Sequence, residues 1–162
     1  MTAPEKLLSR IRRMIVFFII ILALSGITAF PVYTELEWIL QQNWFNVDEV
    51  PGRWLLKVWQ GVAWAMQDYP FLFYGFDWLA FAHLVIAMAF IGPYKDPVRN
   101  VWVINWGMLA CLGIIPLAVI AGAVRGIPWY HIIVDCLFGI IGIVPLWITR
   151  KWIYQLEALQ KQ

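Results

Sequence analysis

The chain has 162 residues, of which 62% are hydrophobic and only 14% are Asp, Glu, Lys or Arg. Soluble domains average about 45–50% and about 25%, so this composition excludes a soluble globule. A formal charge of +2 scattered along the chain gives no basic face for nucleic acid, and no nucleic-acid partner is expected.

The two cysteines, Cys111 and Cys136, lie far apart within apolar stretches, with no CxxC and no Cys/His cluster. Neither a zinc site nor a thiol-redox motif is indicated, which weighs against a disulfide-forming, quinone-linked enzyme. Both cysteines read as small packing residues. No cofactor is predicted.

Residues 1–13 form a basic lead with Lys6, Arg10, Arg12 and Arg13. A first crossing follows at 14–33, apolar and long enough to span about 30 Å of hydrocarbon as a helix. Its run exceeds the usual signal-peptide core and lacks a small-x-small cleavage site, so it reads as an uncleaved crossing ending near Pro31. Residues 34–70 mix acids with tryptophans. Within them Leu55, Val58, Trp59, Val62 and Met66 recur at helical spacing, opposite Arg53, Lys57, Gln60 and Gln67. That pattern predicts an amphipathic helix lying in the membrane interface. Trp38, Trp44, Trp54, Trp59 and Trp64 fit the headgroup level that indole rings favour.

The second crossing, 71–92, carries Asp77 and His83. Residues 92–99 turn the chain, because Pro93 and Pro97 forbid a continuous helix. The third crossing, 100–124, contains no charged residue and has Pro116 inside it. Arg125-Gly126-Ile127-Pro128 is a tight turn, with Pro128 suited to the start of the next helix. The fourth crossing, 129–149, carries His131, Asp135 and Pro145, and a polar helical tail occupies 150–162.

Nine of the twelve Lys and Arg residues lie in the basic lead, the 93–99 loop and the tail, leaving Arg53, Lys57 and Arg125. The positive-inside rule then places both termini in the cytoplasm of a plasma (inner) membrane. The expected architecture is all-α: a single membrane domain, a four-transmembrane-helix bundle with an interfacial helix on its outer side.

Chemistry rests on ionisable residues within the apolar runs. Pro128, His131, Asp135, Gly139, Gly142 and Leu146 share one stripe of about 80° on the fourth crossing. Small and polar residues of a membrane helix face other helices, so His131 and Asp135 should point into the bundle and the glycines should admit a close neighbour. On the second crossing Phe76, Ala80, His83 and Ala87 share a stripe, with Asp77 about 120° around and roughly 9 Å above His83. An ionised carboxylate at that depth costs at least ~2.5–3.5 kcal/mol, so it should be paired, protonated or hydrated. Asp77, His83, His131 and Asp135 therefore form the candidate catalytic cluster, open to the outer face. Arg125, Trp78 and Trp129 are the candidate ligand contacts.

Plainer readings stand beside these. Asp77 is equally suited to capping a shorter helix that begins near Trp78. His131, after Trp129-Tyr130, reads as an interfacial residue, and an Asp–His hydrogen bond can serve packing alone. Arg125 reads as a topology and headgroup contact, and the tryptophans as anchors.

Four functions compete. The first is a small membrane enzyme or receptor whose Asp/His pocket binds or acts on an amphiphile such as a lipid, sterol or quinone. The second is a non-catalytic accessory or assembly subunit, working with a membrane-protein partner or as a homo-oligomer. The third is a proton-coupled carrier. The fourth, a b-type cytochrome using His83 and His131, ranks last because helical rise separates them by about 10–15 Å in depth. A metal held by His131, Asp135 and Asp77 rests on a weak spacing signal.

Overall fold

The computed structural model describes residues 3–161, which are helical nearly throughout, with no strand among them. In chain order the helices are α1 (Ala3–Ala29), α2 (Val32–Gln41), α3 (Val50–Asp68), α4 (Phe73–Ala89), α5 (Ile91–Lys95), α6 (Val101–Arg125) and α7 (Trp129–Gln160). A single 3-10 turn, Pro70–Leu72, precedes α4. Four segments are long and apolar enough to cross a membrane: Ala3–Ala29, Pro70–Lys95, Val101–Arg125 and Trp129–Gln160. These coincide with the four expected crossings.

The boundaries differ in instructive ways. The basic lead from Ala3 onward is helical and continuous with the first crossing. That helix stops at Ala29, and Pro31 starts a separate one, so residues 34–70 hold two helices where one was expected. On α3, Leu55, Val58, Trp59 and Val62 are half-buried, whereas Arg53, Lys57, Gln60, Met66 and Gln67 are exposed. At its other end α4 stops at Ala89. The reason is local: Ala89 is the carbonyl that Pro93, lacking an N–H, cannot serve. Pro93 instead sits in the first turn of α5, where no donor is needed. The tail is not a separate element. Residues 146–160 contain neither Gly nor Pro, so α7 runs on without a stop to Gln160.

The chain divides into two compact units, Ile21–Ala87 and the remainder on either side of it. In the unit Ile21–Ala87, α2 packs on α3, with the Tyr33 ring stacked on Trp59 at 6.5 Å. The end of α1 meets α4 at Gly26, where an added Cβ would fall 2.8 Å from the Ala80 carbonyl oxygen and 3.0 Å from His83 Cβ. A small residue at a close helix crossing is the usual device where no hydrophobic driving force separates helix from lipid.

The second unit is organised around an antiparallel α6–α7 hairpin. Gly122 faces Ile132, Cys111 faces Gly139 and Gly142, and Gly107 faces Leu146, so contacts pair in reverse order. A Cβ on Gly139 would lie 2.5 Å from the Cys111 carbonyl oxygen. The glycines of the fourth crossing do admit a close neighbour. Gly139, Leu146, Thr149, Ile153 and Leu156 are buried on α7, and with Gly142 they keep alternating steps of three and four, the spacing of a coiled-coil seam. Thr149, the one buried polar residue found among those described, donates to the Pro145 carbonyl at 2.7 Å. Gly126, at φ 68°, closes α6: its N–H reaches the Ala123 carbonyl and the Ile127 N–H bonds the Gly122 carbonyl at 2.9 Å. Those two bonds are a Schellman motif, which needs a residue free to adopt the left-handed region.

Arg12 ties α1 to the turn after α4. Its Nε donates to the Tyr94 carbonyl at 3.1 Å, and its guanidinium lies 5.5 Å from the Tyr94 ring centre. The Asn100 side-chain amide donates to the Asp96 and Gly92 carbonyls at 2.9 and 3.3 Å. The Gly92 and Asp96 carbonyls also accept the Asp96 and Asn100 backbone N–H groups, so the Asn100 amide adds a second bond to each.

Candidate functional site

The residues expected to carry chemistry occur on both units: Asp77, Trp78 and His83 in Ile21–Ala87, and Arg125, Trp129, His131 and Asp135 in the other.

Asp77 lies inside α4, four residues beyond its start at Phe73. It is therefore not the cap of a helix beginning near Trp78. Its neighbours at helical spacing are aromatic. Tyr74 and Trp78 meet edge to face at 6.0 Å, and Trp78 and Phe81 do so at 6.3 Å. These three rings follow the i, i+4, i+7 ladder of one helix face, and Asp77 stands on that face. Phe30, just past the end of α1, completes an open groove of about 270 Å³ with Tyr74, Asp77, Trp78 and Phe81. All four rings are exposed, and no hydrogen bond or ion pair joins Asp77 to another described residue.

His83 has a different setting. It is half-buried on the face that carries the buried residues Ala80 and Ala87, against Gly26. Its Nδ1 lies 2.9 Å from the Leu79 carbonyl, one turn back in the same helix. A carbonyl can only accept, so Nδ1 carries the proton and a neutral ring keeps its lone pair on Nε2.

On α7, His131 Nε2 stands 3.9 Å from Asp135 Oδ1, with side chains 46% and 41% exposed. The seam spacing that includes Ile132 and Gly139 also passes through Asp135, so its register falls level with Ile115 and Ala118 of α6, neither of which offers a polar side chain. Its ionic neighbour comes from its own helix. Arg125 is the last residue of α6 and is exposed, where a cation is favoured by the helix dipole. Trp129 is 72% exposed at the start of α7. Both cysteines are free thiols, Cys111 buried at the α6–α7 seam and Cys136 half-buried. Among the described residues no three His, Cys, Asp or Glu side chains converge.

Three local arrangements result: a carboxylate in an aromatic groove, a histidine bonded to its own helix, and a loose in-helix Asp–His pair. The groove is the feature that the sequence reading missed. Its signal in the sequence is Tyr74, Asp77, Trp78 and Phe81 at helical spacing, but the Phe30 wall lies outside α4 and no spacing along that helix reports it. The chain matches no protein-family model, no curated protein and no solved structure.

Proposed function

We propose that this is a multi-pass plasma (inner) membrane protein, with both termini cytoplasmic, that binds an amphiphile from the outer side at Asp77. The observation that carries this reading is the groove of Phe30, Tyr74, Asp77, Trp78 and Phe81. Aromatic walls offer apolar contact to the body of a lipid, sterol or similar molecule. The carboxylate accepts hydrogen bonds and donates none when ionised, so it selects a polar end with a hydroxyl or amine donor. Such a partner also relieves the cost of a carboxylate near hydrocarbon. A quinone, which presents only acceptors, fits this groove less well than a sterol or an aminolipid. The outward placement follows from the distribution of Lys and Arg, and α3 with its exposed polar residues is the interfacial element.

Binding, rather than catalysis, is the proposed activity. The His131–Asp135 distance of 3.9 Å is too long for a direct hydrogen bond, so a proton would pass between them only through water. A second reading, a non-catalytic accessory subunit, is favoured by one observation: the His83 bond to the Leu79 carbonyl satisfies that ring nitrogen within the protein, with no ligand required. Unbiased lipid mass spectrometry on purified wild-type protein and on Asp77→Asn separates the two. Binding predicts one enriched amphiphile that the substitution removes from a normally folded protein. Bulk lipid in both samples supports the accessory role.

A further inference from the structure

At the other end of α1 the basic residues are not equivalent. Arg12 is committed to the Tyr94 carbonyl, and Lys151 on α7 lies over the Trp147 ring at 4.4 Å. Arg10 and Arg13 are exposed, and no hydrogen bond or ion pair joins either to another described residue. They share one helix face with Met14 and Phe17, at the i, i+3, i+4, i+7 spacing of neighbours. Together with Trp152 of α7 these four line an open groove of about 250 Å³ that has no acidic wall.

We infer that this groove is a binding site for an anionic phospholipid, distinct from the Asp77 groove and independent of it. Two guanidiniums present the planar donor forks that suit a phosphate diester. The floor beneath them is apolar, and Phe17 and Ile20, farther along α1, are 53% and 51% exposed. A charged head above and an acyl chain below is the order of polarity along a phospholipid. A soluble phosphate compound would leave Met14, Phe17 and Trp152 unused. Basic pockets beside membrane helices on the cytoplasmic side take anionic headgroups on the same physical grounds.

The test uses full-length protein in mixed micelles, with native mass spectrometry counting retained phosphatidylglycerol against phosphatidylcholine of matched chains. The wild type retains phosphatidylglycerol in preference, by roughly fivefold for each contributing arginine. Arg10→Gln/Arg13→Gln brings the two lipids close to parity. Lys95→Gln/Arg99→Gln removes the same charge from the nearby turn and leaves the preference intact. Trp152→Ala, which alters no charge, shortens retention of phosphatidylglycerol several-fold; with the wild-type ratio, it decides the question should the arginine pair fail to accumulate. Equal retention of both lipids by the wild type overturns the site, as does an equal effect of the Lys95/Arg99 pair.

Discussion

His131 and Asp135 stand one turn apart on α7 with 3.9 Å between Nε2 and Oδ1, both side chains more than a third exposed. An i, i+4 contact longer than a hydrogen bond contributes about 0.2–0.5 kcal/mol to a helix. Asp135→Asn is therefore expected to lower stability by no more than that, measured as the midpoint of unfolding in mild detergent. A much larger loss would mean that Asp135 anchors the α6–α7 seam.

Four residues along the same helix the expectation reverses. A side chain on Gly139 meets the Cys111 carbonyl oxygen at 2.5 Å, and backbone cannot yield as a flexible side chain can. Gly139→Val should cost about 1–3 kcal/mol through overpacking and reduce the yield of folded protein. Gly142→Ala, whose Cβ meets only the Cys111 sulfur at 3.0 Å, should be milder. Comparing the two unfolding midpoints checks the register of the hairpin.

Gly126 tests conformation without contact. A Cβ there has nothing within 4 Å, yet φ is 68°. Gly126→Ala should cost about 1 kcal/mol through the left-handed backbone alone. Gly126→Asn should cost less, because asparagine tolerates that region.

Arg12→Gln removes the donor to the Tyr94 carbonyl. Hydrogen exchange of the Tyr94–Asn100 amides should rise by roughly fivefold, corresponding to about 1 kcal/mol for the lost bond. Exchange in α3 should not change.

The crossings were legible because apolar runs of sufficient length have few alternatives. The α6–α7 turn was legible too, since Gly126 and Pro128 prescribe a helix stop and start. Less legible was the segment after Pro31, where acids mixed with tryptophans hid a separate helix, α2, ahead of α3. The continuity of α7 to Gln160 was hidden because polarity changes near Arg150 while helix propensity does not. At the candidate site, the types of residue were readable but their partners were not. His83 bonds to its own helix and Asp77 shares a groove with Phe30, 47 positions earlier in the chain, and spacing along one helix reports neither.

The central claim is that an amphiphile occupies the groove beside Asp77. Its most direct test places a benzophenone amino acid at Phe81, a groove residue, and another at Phe138, an exposed residue of α7, and identifies adducts after irradiation in native membranes. The prediction is one discrete amphiphile captured at position 81, absent at position 138 and lost when Asp77→Asn is combined with the probe. The same mixture of bulk lipids at both positions, unchanged by Asp77→Asn, would contradict it.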